Sequence, residues 1–184
     1  TEWLQAKASN GDEGLFTWFS ELIKKAVPSK GHLLGYHIPS ATGVGFSLDL
    51  LARLKDSFPT QFAGIKDSSH DESFATALGQ RFGKDLLVLN GTDSYFHHAL
   101  KNHAQGTITA PANLISEDLR EIWDLYQEGK DPSEAQARVA EQRHILEKYM
   151  PFPPTLKALL HKYHDMPRWS VKPPLEEMDE KILE

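Results

Sequence analysis

Along most of this chain, apolar residues at helical spacing alternate with short unbroken apolar runs. Leu15, Phe16, Phe19, Leu22 and Ile23 mark one face of a helix predicted over 14–26, which ends before Pro28. The run 32–38 then reads as a strand. Ser47 caps a second amphipathic stretch through Leu48, Leu50, Leu51 and Leu54, which stops at Pro59, and 62–65 follows as the next strand. Asp71 opens a third helix ending near Gly83, followed by a strand over 86–89. The pattern predicts one further turn of the cycle: helix over 94–103, strand over 106–109 and helix over 116–128. Beyond Pro132 the chain reads as wholly helical, over 133–149 and 154–164, with Pro151, Pro153 and Pro154 as a rigid spacer. The tail after Pro167 reads as irregular.

Strands separated by helices imply a parallel sheet, since each helix carries the chain back across the sheet face. Either an open doubly wound sheet or an arc of a barrel satisfies this pattern. In both, the loops leaving the strands gather at one edge, and here they are 36–43, 66–69, 91–93 and 108–113. No glycine-rich phosphate fingerprint follows any strand, which argues against nucleotide binding.

Lys66 is the chemically most informative of these loop residues. It ends the apolar run that starts at Phe62, and an amine at a buried strand end is hard to keep charged, which favours a neutral nucleophile able to condense with a ketone. The bland alternative is a strand-end lysine reaching solvent. Tyr36 ends the preceding run in the same way, and a phenol beside such a lysine can move protons. Asp67 and Ser68 have the alternative role of capping the next helix or turn, and Asp93 that of capping a helix from Ser94.

Composition narrows the reading. The chain has 184 residues, 40% hydrophobic and 25% charged, as expected for one globular domain. A net charge of -6 with no basic cluster excludes a nucleic-acid footprint and a polybasic membrane contact. No apolar stretch reaches membrane-spanning length, and the start at Thr1 has neither a signal core nor a methionine, as expected of a processed, trimmed or partial product. Without cysteine there is no thiolate or disulfide chemistry, and a reducing cytoplasm is the expected setting. His97, His98 and His103, and His161 with His164, lack partners at ligand-like spacing, so no metal is expected.

Four motifs in order, Tyr36-x-x-Pro-x-x-Thr-Gly43, Gly64-Ile-Lys-Asp-Ser-Ser69, Asn90-Gly-Thr-Asp93 and Gly106-Thr-Ile-Thr109, resemble the second half of the dihydrodipicolinate synthase and N-acetylneuraminate lyase superfamily. The resemblance implies an α/β fold of parallel (β/α) TIM-barrel type, present here as the C-terminal half over 1–131, with about four strand-helix units. A C-terminal helical extension and tail would occupy 132–184. It further implies a pyruvate-handling class I lyase in which Lys66 forms the Schiff base and Tyr36 relays protons, with no cofactor. Thr42, Ser68, Gly91, Asp93 and Ile108 are then expected to meet the substrate, Gly91 and Ile108 through their backbone and Asp93 through sugar-acid hydroxyls.

Departures from the family pattern refine the expectation. Ala41 stands where the biosynthetic synthases carry a carboxylate-gripping arginine, which favours a 2-keto-3-deoxy sugar acid over dihydrodipicolinate synthesis. His37 replaces a frequent asparagine and His70 a frequent glycine. The glycine-threonine-threonine turn that would bind pyruvate's carboxylate is missing, so a non-catalytic half-barrel is the third reading. An inner sheet face of Leu34, Ile65, Val88 and Ile108, or their neighbours, is expected to be open to water, driving homo-oligomerisation or pairing with a complementing N-terminal half.

Overall fold

The structure, a computed structural model, describes residues 11–183 and divides into two units. The first runs to Thr92 and takes back His98–Thr107; the second comprises Asp93–His97 and the chain from Ile108 onward.

The first unit is built on a three-stranded parallel sheet of β1 (Leu33–His37), β2 (Phe62–Asp67) and β3 (Leu87–Asn90), in that order. Helices α1 (Asp12–Ala26), α2 (Pro39–Thr42), α3 (Leu48–Ser57) and α4 (Glu72–Phe82) fill the connections. The expected caps are in place. Ser47 Oγ accepts the N–H of Leu50 at 3.0 Å, and Asp71 Oδ1 accepts those of Ser73 and Phe74 at 2.9 and 3.0 Å. Ser47 also donates to Asp12, and Arg53 pairs with Glu13 at 2.9 Å, so α3 is tied to the first turn of α1. The four-residue turn α2 was not foreseen. Pro39 starts it and Gly43, at φ 70°, ends it in the left-handed region that glycine adopts freely.

Strand alternation fixes which side chains face the helices. Gly35, Ile65 and Val88 lie in register on one face, and Leu34, Gly64 and Leu87 on the other. The first face is covered: Ile65 and Val88 join Ile23, Leu50, Leu51, Leu54, Phe62, Leu78 and Leu86 in the core. Each leucine of α3 here has no exposed surface and contributes about 1.5–3 kcal/mol through burial. On the second face Leu34 and Leu87 stay 39% and 40% exposed. The expectation that Ile65 and Val88 share the open face with Leu34 is therefore corrected, because the register sets them one residue out of phase with it.

The strand expected over 106–109 is reduced to a single parallel bridge between Asn90 and Thr107. Two backbone hydrogen bonds, Gln105 N–H to Val88 O and Asn90 N–H to Gly106 O, both at 2.9 Å, join this segment to β3, and side chains add to them. Gln105 Oε1 accepts the N–H of Val88 at 2.8 Å, and Thr107 Oγ1 donates to the carbonyl of Asn90 at 2.9 Å.

The second unit is helical. A 3-10 turn over Asp93–Tyr95 leads into α5 (Phe96–Lys101), which carries the chain back to the first unit. There follow α6 (Ala112–Gln127), bent at Ile115, then α7 (Ser133–Glu147) and α8 (Phe152–His164). Pro153 and Pro154, expected to form a spacer, instead sit in the first turn of α8, where a missing N–H costs no hydrogen bond. The tail, expected to be irregular, holds a 3-10 turn over Glu180–Leu183. Among the described residues no helix is long and apolar enough to cross a membrane.

Candidate active site

Lys66 projects from β2 onto the open face of the sheet, flanked in register by Tyr36 of β1 and Leu89 of β3. It is half-buried there. Its Nζ lies 4.2 Å from the centroid of the Tyr36 ring, so the ammonium or amine sits against the aromatic face. Tyr36 itself is 50% exposed. Burial pushes its phenol up, but hydrogen bonds from Lys66 and Ser68, together with the Lys66 charge, outweigh burial and hold it below the ordinary tyrosine value. A phenol so placed gives up and takes back a proton more readily than one in water.

Ser68 is buried one step beyond the strand end, with its N–H on the carbonyl of His37 at 2.8 Å. Gly91 completes this corner. Its N–H donates to the carbonyl of Asp67 at 2.6 Å, and a Cβ added to it would collide with Ser68 Oγ and come within 2.9 Å of Lys66 Cε. Gly91 is thus the space that the lysine stem and the serine hydroxyl occupy. Lys66, Tyr36, Ser68 and Gly91 are brought together in the first unit.

The remaining expected contacts are engaged elsewhere. Thr42 Oγ1 donates within its own turn, with Ile38 O at 3.0 Å and Val44 O at 2.6 Å. Asp67 turns its carboxylate to the covered side, where Oδ1 accepts the N–H of Ser69 at 3.0 Å. His70, in place of the family's glycine, adopts φ 60°, which explains why glycine suits that position. In the second unit Asp93 is fully buried, accepting from Thr109 Oγ1 at 2.6 Å and the N–H of Ser94 at 2.9 Å. Arg143 of α7 lies 3.3 Å from the same carboxylate. Both its oxygens are therefore satisfied by protein. Ile108, also in the second unit, is 51% exposed.

The setting of His37 was not foreseen. It is buried on the covered face behind Tyr36, its Nδ1 accepts the N–H of Phe46 at 2.9 Å, and it stacks on Phe74 with centroids 4.3 Å apart. Burial, working against the nearby Asp67 and Asp71 carboxylates, holds its pKa below the ordinary histidine value. Two glycines flanking Val44, next to an aromatic, were the available signal. No cluster of three or more metal-ligating side chains stands among the described residues.

The family model described as the dihydrodipicolinate synthetase family matches residues 9–184. The chain belongs to the dihydrodipicolinate synthetase family. Within it, the chain is 32% identical over 164 residues to an uncharacterized DapA-like lyase of Chloroflexus aurantiacus, covering 89% of this chain and 54% of that protein. It is 36% identical over 107 residues to a 4-hydroxy-tetrahydrodipicolinate synthase of Thermus thermophilus, covering 58% of this chain and 35% of that enzyme. Among solved structures, the dihydrodipicolinate synthase of Agrobacterium tumefaciens superposes with a TM-score of 0.79 at 30% identity, covering 93% of this chain and 57% of that one. The chain thus spans about half the length of these family members. Its α/β architecture with a parallel sheet is that of part of the family's fold.

Proposed function

We propose that this chain carries the Schiff-base half of a class I lyase acting on 2-oxo acids. The observation that carries the reading is Lys66 Nζ set against the Tyr36 ring at the C-terminal edge of a parallel sheet. The free amine of Lys66 attacks the C2 carbonyl; a C–N bond forms as the carbonyl electron pair moves to oxygen and takes the proton of the Tyr36 hydroxyl. The Tyr36 phenolate recovers a proton from the nitrogen of the carbinolamine, and its return to the C2 hydroxyl expels water and leaves an iminium. That iminium accepts the electron pair of the C3–C4 bond as it breaks, releasing an aldehyde once its hydroxyl proton is withdrawn. Protonation at C3 and hydrolysis return Lys66 and pyruvate. Ser68 lies beside Tyr36 and helps hold its phenol below the ordinary value, and Gly91 keeps the corner open.

The preferred substrate is a hydroxylated 2-oxo acid of the 2-keto-3-deoxy sugar-acid class, because Ala41 offers no clamp for a second carboxylate. A second reading, condensation as in 4-hydroxy-tetrahydrodipicolinate synthases, is favoured by the Thermus relative. The exposed Leu34 and Leu87 beside Lys66, and the relatives' greater length, support further β/α units completing the site as a barrel, from the rest of a longer chain or from a partner.

Pyruvate followed by borohydride tests this reading by intact mass and peptide mapping. One reduced adduct on Lys66, absent in Lys66→Ala, is the expected result. Labelling of another lysine, or none in protein supplied with the rest of the barrel, overturns it. Faster condensation of pyruvate with aspartate semialdehyde than cleavage of a 2-keto-3-deoxy sugar acid selects the second reading.

A further inference from the structure

His37 ends β1 with its ring on the covered face, and the loop that follows Tyr36 folds back onto that ring. The ring is 5% exposed. Its Nδ1 accepts the N–H of Phe46, which requires that nitrogen to be unprotonated, so the neutral ring carries its proton on Nε2. Gly45 passes so close to the ring edge that a Cβ there would stand 2.7 Å from His37 Cε1. Phe46 in turn packs on Phe19, with centroids 5.1 Å apart, and lies under Gly35. The segment so held is the one that carries Ala41 and Thr42 between β1 and α3.

The groups facing the ring set its response to acid. Phe46 from the loop and Phe74 from α4 bring no charge. Asp67 from β2 and Asp71 from the start of α4 both favour protonation, and burial opposes them with the larger effect. The neutral form is therefore more favoured than in an exposed histidine, and the ring protonates only at lower pH than an ordinary imidazole.

We propose that His37 is a positioning residue whose unprotonated Nδ1 latches the β1–α3 loop to the sheet, and whose protonation releases the loop that carries Ala41 and Thr42. Only the catalytic consequence rests on the proposed function; the latch itself can be read without turnover.

Hydrogen exchange at the Phe46 amide supplies the test, with the Ser68 amide as internal reference because it donates to the His37 carbonyl and ignores the imidazole. Corrected for intrinsic rates, Phe46 protection should fall about five- to tenfold as the His37 ring, followed by NMR, passes from neutral to protonated over the range of acidification, the scale of one lost hydrogen bond, while Ser68 holds. In His37→Asn an amide oxygen takes the place of Nδ1 without titrating, so Phe46 should remain protected across the range. His37→Phe keeps the stack on Phe74 but has no acceptor, and should lose Phe46 protection at every pH. Unchanged wild-type protection in acid, Phe46 and Ser68 falling together, or full protection in His37→Phe each overturns the latch. Where pyruvate can be trapped on Lys66, the acid limb of the trapping profile should recede in His37→Asn; an unchanged limb removes the positioning role. Absence of trapping with the exchange pattern intact counts against the proposed function alone.

Discussion

Lys66 and Tyr36 face each other across one strand pair, and Lys66 acts on the proton chemistry of Tyr36. Because burial alone raises the Tyr36 phenol, its lowered value depends on Lys66 and Ser68. Removing the amine should therefore reverse the shift. In Lys66→Met, Tyr36 should ionise at higher pH than in the parent, and Ser68→Ala should move it the same way by less. Carbon-13 labelling at tyrosine Cζ, followed by NMR through the alkaline range, resolves Tyr36 from the other tyrosines; an unmoved midpoint in Lys66→Met would show that the two side chains are not coupled. Their placement at strand ends was legible in the sequence because each closes an apolar run, and the sheet sets them in register. The partners of His37 and Asp93 were not. The His37 ring is defined by the backbone of Phe46, nine positions on, and the Asp93 carboxylate by Arg143, fifty positions on, and neither pairing leaves a local pattern.

At the scale of elements, local punctuation was read well where one side chain decides it. Ser47 is the clearest case, since its hydroxyl both accepts the Leu50 N–H and donates to Asp12 at the start of α1. Ser47→Ala should cost about 1–2 kcal/mol, the range of a helix cap with an added hydrogen bond. Chemical denaturation should show this as a lower midpoint with an unchanged slope. A loss under about 0.3 kcal/mol would mean that water replaces both bonds. Elements decided by tertiary partners were misread. The run 106–109 has strand-forming residues, yet it joins β3 through two backbone hydrogen bonds and the single Asn90–Thr107 bridge, with the Gln105 side chain taking the Val88 N–H. The prolines before α8 were taken for a break, although the first turn of a helix accepts them because its N–H groups have no intrahelical acceptor.

At the scale of the whole molecule, the open sheet face governs behaviour in solution. Its parallel strands would ordinarily be covered on both sides, and here Leu34 and Leu87 remain exposed on either side of Gly64, with Tyr36 beside them. Gly64 cannot be filled to shield them, because a Cβ there would collide with the Leu87 carbonyl oxygen. Contiguous apolar surface of this kind drives association unless something covers it. Produced as these 184 residues, the chain should bind a hydrophobic-surface dye and self-associate at micromolar concentration. Leu34→Lys with Leu87→Glu should diminish both. Because each side chain is about two-fifths exposed, the pair should cost little stability, on the order of 1 kcal/mol or less. Light scattering beside dye fluorescence decides the matter: a monomeric, dye-silent parent would show that the face is already covered, and an unchanged double variant would move the source of association to another surface.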